Sequence, residues 1–276
     1  MNVPLPEKCF ISHSYADAVA RERLIISLPE GVSPLVFPPI QAKPHEFVSK
    51  PLIEAILGCE GLIYLRGGAS DRSFWVAFER DYALRSRKPV FCYDIGTSEL
   101  SPDTDRPLDL AVFASYNHHD STRVRQICHF LGQERNFDVW LDVKDLSSGD
   151  LWEKEIEAGI ADRLNRGGYV IAFWSDNASR SRWIEKELAT ATADLGQLND
   201  KVLFALLDPS PLPEFWLRFD EPYVQLYGDS DRSETHRIDD LIVRLYWLIY
   251  RKTKAAEATP NPSLERTAVG KPASAA

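Results

Sequence analysis

Two tryptophan–glutamate pairs, Trp75 with Glu79 and Trp183 with Glu187, are each spaced four residues apart. On a helix that spacing brings both side chains to one face. A carboxylate so placed can stabilise positive charge that develops on a bound molecule. The aromatic can shape a pocket or stack on a ring. The plain alternative is a solvated helix glutamate beside a core-facing tryptophan. Glu185 lies off the Trp183 face. Other chemistries lack their signatures. There is no GxGxxG, GxxxxGK[ST] or GxSxG, and Gly67-Gly68 and Gly167-Gly168 read as loop glycines. His118-His119 is expected in a solvated loop, with no Cys or carboxylate array to suggest a metal site. Cys9, Cys59, Cys92 and Cys128 lie far apart and read as buried, reduced side chains.

The elements that must hold these pairs are legible as alternating runs. Residues 8–12, 34–37, 61–65, 89–93, 110–115, 137–142, 169–174 and 201–207 are strand-sized and apolar on both faces, as parallel strands covered on both sides should be. Between them lie helix-like stretches. Residues 124–133 gather Val124, Ile127, Cys128 and Leu131 on one face. Residues 181–195 gather Ile184, Leu188 and Ala191, and residues 236–252 form a strongly apolar closing helix. Two βαβ series predict an α/β fold of two flavodoxin-like, doubly wound parallel sheets in tandem.

An internal repeat sharpens this reading. Phe10-Ile-Ser12 with Asp17 recurs as Phe113-Ala-Ser115 with Asp120, and Ile53-Glu54-Ala55 as Ile156-Glu157-Ala158, both 103 residues on. Ser73-x-Trp75-x-x-x-Glu79 recurs as Ser181-x-Trp183-x-x-x-Glu187, 108 residues on. The expected domains are 1–106 and 107–253, diverged copies of one fold. The Gly/Ser/Pro/Asp-rich segment 94–107 is expected to be a linker or surface loop. Residues 254–276, rich in Ala, Pro, Ser and Thr, are expected to be a disordered tail.

Composition narrows the partners. The 276 residues carry a net charge of -9, which disfavours docking on nucleic acid or anionic lipid. No apolar run is long enough to span a membrane. The N-terminus lacks a basic stretch followed by an apolar one, so a cytoplasmic protein is expected. The charge is uneven, with residues 1–106 at -2 and residues 107–252 at -8.

In order and spacing, the second half resembles a TIR (Toll/interleukin-1 receptor) domain. Phe113-Ala-Ser-Tyr-Asn-His-His-Asp120 resembles the first-strand motif of that family. Val139–Gly149 resembles its second strand and BB loop, and Trp152–Ile160 the next helix. Phe173-Trp-Ser175 fits the end of the third strand, and Ser181–Leu188 the helix that carries the catalytic glutamate in NAD-cleaving members. The first half resembles the family more weakly. Its Phe10–Asp17 and Ser73–Glu79 motifs are present, but residues 38–51 hold four prolines and no Leu-x-x-Gly.

The resemblance implies a reaction and roles. NAD+-cleaving members break the nicotinamide–ribose bond through an oxocarbenium-like transition state. One carboxylate near the ribose suffices, because the leaving pyridine is already cationic. Glu187 is the implied catalytic residue, with Glu79 its counterpart in the first half. Trp183, Ser181 and Trp75 are the implied substrate-side neighbours. Ser115 and Tyr116 end the first strand, where such folds bind ligands, and read either as ribose or phosphate contacts or, for the serine, as helix caps. Asp142, Asp145, Leu146 and Gly149 form the BB loop, expected to line the pocket or join TIR protomers. Arg180 and Arg182 are the nearest cations in sequence for an anionic substrate. NAD+ enters as substrate, with no resident cofactor, and other TIR domains are the implied protein partners. The implied role is an NAD+ glycohydrolase or ADP-ribose cyclase in immune or anti-phage defence. A tandem TIR scaffold without catalysis is the competing reading. In the enzymatic reading, one half can complete the site of the other in cis.

Overall fold

In the computed structural model the described residues are 4–38, 49–108, 110–141, 168–180, 201–212, 223–228 and 233–258. The first half runs β1 (Lys8–Ser12), α1 (Ala18–Ser27), β2 (Ser33–Val36), α2 (Ser49–Leu57), β3 (Gly61–Arg66), α3 (Phe74–Arg85), β4 (Val90–Asp94) and β5 (Glu99–Pro102). The second runs β6 (Ala111–Ser115), α4 (Ser121–His129), β7 (Asp138–Leu141), β8 (Tyr169–Trp174), a short α5 (Asp176–Ser179), β9 (Val202–Leu206), β10 (Tyr223–Gln225) and α6 (Glu234–Ala258).

Each half builds one five-stranded sheet, ordered β2-β1-β3-β4-β5 and β7-β6-β8-β9-β10. Register follows the sequence repeat. Cys9 pairs with Gly61 as Val112 pairs with Tyr169, and Ser12 pairs with Tyr64 as Ser115 pairs with Ala172. Those are the offsets of 103 and 108 that the motifs show. The eight expected strands all form. The helix expected over 124–133 begins at Ser121, widens to a π-helical turn over Phe130–Glu134, and buries Val124, Ile127, Cys128 and Leu131 as its spacing requires. All four cysteines are free and buried. Burial pushes the Cys9 thiol up to about 11 and that of Cys128 to about 12.

Three expectations need correction. The segment 94–107 is not simply a linker, because it turns back on β4 as the antiparallel β5. The Asp94 carboxylate makes that turn by accepting from the amides of Gly96 and Thr97, and Ser98 takes a left-handed φ of 58°. The first sheet is therefore mixed, while β10 joins the second sheet parallel. Residues 254–258, expected in a disordered tail, are helical, since α6 continues to Ala258, and residues 259–276 lie outside the described residues. The Lys-Ala-Ala-Glu-Ala end of α6 carries good helix formers that the compositional argument overlooked.

The core does not divide at residue 106. One cluster of buried side chains runs from Phe10, Leu52 and Phe78 in the first half through Val112 and Ile127 to Ile238, Leu241 and Leu245 of α6. Two smaller clusters cover the opposite faces, one around Ile11, Leu24 and Phe91, the other around Phe113, Val202 and Phe204.

Candidate functional site

In the first sheet the chain steps from β1 outward to β2, then across to β3. The reversal falls between β1 and β3, where a doubly wound sheet opens a crevice at the carboxyl ends of its strands. A cleft of about 350 Å³, open solvent at its mouth included, lies beside the end of β1. Phe10, Ile11 and His13 line it from the end of β1, Tyr15, Phe37 and Pro38 from the segments after β1 and β2, and Trp75 and Glu79 as a wall from α3.

Helix α3 delivers that wall for local reasons. Ser73 caps it, its hydroxyl accepting from the amide of Val76 at 3.4 Å. The four-residue step then brings Trp75 and Glu79 to the same side. Glu79 is buried, with 6% of its surface exposed. The Ser12 hydroxyl donates to its Oε2 at 2.5 Å. Burial pushes the Glu79 carboxyl up to about 8, against a smaller downward pull from Ser12. Near neutral pH it is therefore mostly a neutral acid, and a cation entering the cleft favours its ionised form.

Around it stand groups that can hydrogen-bond or stack. His13 is buried, and desolvation lowers its pKa. Its Nδ1 faces the Ile11 carbonyl at 3.3 Å and its Nε2 faces Arg21 Nη1 at 3.0 Å, which suits a neutral ring with the proton on Nδ1. Its ring centroid lies 4.9 Å from that of Tyr15. The Tyr15 hydroxyl donates to the Phe37 carbonyl, tying the end of β2 to the segment after β1. Burial, then the Glu79 charge, raises the Tyr15 pKa.

Behind the cleft the β1–α1 connection is braced. Asp17 accepts from the Ala69 amide at 3.2 Å and from the amide and hydroxyl of Ser70, both at 2.7 Å. Burial works to raise its pKa, but those hydrogen bonds outweigh it and hold it below the usual carboxylate value. Gly68 makes the approach possible. Its φ is +62°, and a Cβ there would sit 2.6 Å from Asp17 Oδ1. The second half repeats the device, with Asp120 accepting from the Ser175 hydroxyl at 2.5 Å and from Asn177 Nδ2 at 2.9 Å.

Of the residues singled out by sequence, Trp75 and Glu79 meet in the cleft. Ser115 is fully buried at the end of β6, and Tyr116 is buried in the core cluster. The turn after them is capped by Asn117, whose side chain accepts from the His119 amide at 3.0 Å. His118 and His119 are exposed there, as expected. Arg180 pairs with Asp176 of α5 at 2.7 Å. Asp142, Asp145, Leu146, Gly149, Trp152, Ser181, Arg182, Trp183, Glu185 and Glu187 lie outside the described residues. Sequence reasoning did not single out His13, Tyr15, Phe37 or a role for Ser12. The repeat held a signal for Ser12, which stands where Ser115 stands in the other half.

Among the described residues no group of three or more His, Cys, Asp or Glu is placed to hold a metal, and no helix is long and apolar enough to cross a membrane.

A family model described as TIR domain matches residues 112–242, which lie in the second half. No curated protein matches the chain. Among solved structures it is similar to the TIR domain of the Toll-related receptor TRR-2 from Hydra magnipapillata, at 16% identity and a TM-score of 0.37. That match covers 51% of this chain and 97% of the other. It is also similar to the TIR domains of the activated Roq1 resistosome, which recognises the pathogen effector XopQ, at 18% identity and a TM-score of 0.29. There the match covers 49% of this chain and 82% of the other.

Proposed function

We propose that this chain is a tandem TIR protein that cleaves NAD+ at the nicotinamide–ribose bond, acting in the cytoplasm as an immune or anti-phage effector. The observation that carries the reading is Glu79, a buried carboxyl at the crevice of a doubly wound sheet, beside the aromatic faces of Trp75 and Phe37 and the hydroxyl of Ser12. In hydrolysis the C–N bonding pair leaves with nicotinamide, which departs neutral, and positive charge spreads over C1′ and the ring oxygen of the ribose. A carboxylate within reach stabilises that charge. The pyridinium of bound NAD+ favours the ionised form of Glu79 before the bond breaks, and its proton passes to solvent. Water then adds to C1′ and loses a proton, giving ADP-ribose. In a cyclase an internal nucleophile takes the place of water.

A cleft of this size is at the lower end for ligand pockets, so one end of the dinucleotide fits and a neighbouring surface must receive the rest. Glu187 is the corresponding candidate in the second half. The scaffold reading draws on the same burial, since a neutral glutamate satisfied by one serine is also what plain packing produces.

The test is nicotinamide release from NAD+ by the full chain, alone and under conditions that assemble it, with Glu79→Gln and Glu187→Gln beside it. Loss in one variant assigns the chemistry to that half. Full activity in both variants places the chemistry on other residues, and no activity in the assembled wild type leaves the scaffold.

A further inference from the structure

Helix α3 has two working sides. Trp75 and Glu79 face the cleft, while Phe74, Phe78 and Tyr82 face away from it, toward α6 of the second half. Phe74 meets Trp247 and Tyr250, each with ring centroids 5.4 Å apart, and Phe78 meets Tyr246 at 5.1 Å. The Tyr250 hydroxyl donates to the Arg72 carbonyl just ahead of the helix.

The last turn is held by a buried polar cluster. The Tyr246 hydroxyl donates to Asp81 Oδ2, and Arg85 Nε lies 2.8 Å from both that carboxylate and the tyrosine oxygen. Asp81 Oδ1 accepts from the Leu108 amide at 2.5 Å. The Arg85 guanidinium donates to the carbonyls of Asn136, at 2.9 Å, and Leu108. Asn136, at a left-handed φ of 53°, returns its side-chain amide to the Arg85 carbonyl. Asp81 and Arg85 are each 2% exposed. The partners of this cluster outside α3 all lie beyond residue 106.

A twelve-residue helix is marginal in isolation, so packing must set where α3 sits. A reacting carboxylate must be held to within roughly half an ångström. We infer that the second half positions Glu79: the Tyr246 hydroxyl and the Asn136 amide fix α3 against α6, and through it fix the carboxyl that meets Ser12. Tyr246 and Asn136 are thus positioning residues for a site they do not touch. This rests on the proposed function for its catalytic meaning.

The test titrates the protonated-carboxyl infrared band of Glu79 in the full chain, identified by its loss in Glu79→Gln, alongside NAD+ turnover. Tyr246→Phe keeps the ring on Phe78 and removes only the hydroxyl. Asn136→Gly keeps the left-handed backbone without strain. Val202→Ala is the control, because it weakens a cluster on the far face of the second sheet. The expected result in Tyr246→Phe is a midpoint about tenfold lower in proton affinity, with kcat down by a similar factor and KM within twofold. Asn136→Gly should move both in the same direction by less, and it stands in if Tyr246→Phe does not fold. Unmoved midpoints in both variants, or an equal shift in Val202→Ala, overturn the inference. A shifted midpoint in a protein that never cleaves NAD+ sinks the proposed function and leaves the positioning. Intact cleavage with an unmoved midpoint does the reverse.

Discussion

The two halves share a strand order and a register, yet they differ in what surrounds the same crevice. In the first, Asp17 reaches two backbone amides and a hydroxyl across a positive-φ glycine. In the second, Asp120 makes the same bridge with two side chains, those of Ser175 and Asn177. The first closes with an antiparallel strand, the second with a parallel one and a long helix that crosses back onto α3. The family model recognises the second half, while the described cleft belongs to the first. The family match and the described cleft thus fall in different halves, and the second half lends its closing helix to the first.

That asymmetry can be broken most sharply by chemistry. In the proposed reading Glu79→Gln lowers nicotinamide release by about 100-fold or more, the usual scale for losing one electrostatic stabiliser, with the fold intact by circular dichroism. An equal loss in Glu187→Gln would mean both crevices work together.

The braces come next. Asp17→Ala leaves two amides and a hydroxyl without their charged acceptor, and should cost about 3 kcal/mol in urea unfolding. Asp120→Ala should cost about 1–2 kcal/mol, since side chains can turn to water and amides cannot. Equal losses would erase the distinction between the braces.

Gly68→Ala forces a Cβ both into a left-handed backbone and against Asp17 Oδ1. About 2 kcal/mol is expected, against nearly nothing for a substitution on the exposed face of α1, such as Arg23→Ala.

A further expected effect is a slope with pH. Glu79 holds its proton more tightly folded, with a pKa of about 8 against an ordinary 4.5, so its contribution is complete below about pH 4.5 and disappears as pH rises through 8. Asp239, which burial pushes up to about 6, adds to the lower part of that window. The midpoint of thermal unfolding should therefore fall between pH 5 and 8, and Glu79→Gln should flatten the upper part of the decline. An unchanged slope would mean that the carboxyl is wetter than its burial suggests.

Much of this was legible in the sequence because it depends on local pattern. Apolar runs such as YVIAFW and KVLFALL mark strands covered on both faces. The two offsets of the repeat fix register across β1–β3 and β6–β8. The Trp75–Glu79 spacing marks a shared helical side. What could not be read depends on partners distant in sequence. β5 looks like loop because Asp94 and Ser98 make its turn, while Leu100 is half-buried among the core side chains. Tyr15 and Phe37 become neighbours only once β2 lies beside β1. The attachment of α3 to α6 joins residues more than 150 apart, and no periodicity within either helix announces it.

Helix α6 also has a consequence in time. Chains leave the ribosome from the amino end, and domains commonly fold as they emerge. Here the first sheet emerges early, but the surface that supports α3 is made only after both sheets. A nascent first half should therefore carry its cleft residues without the final support for Glu79. The candidate site is then withheld until synthesis has passed residue 250, a delay encoded in the order of the elements.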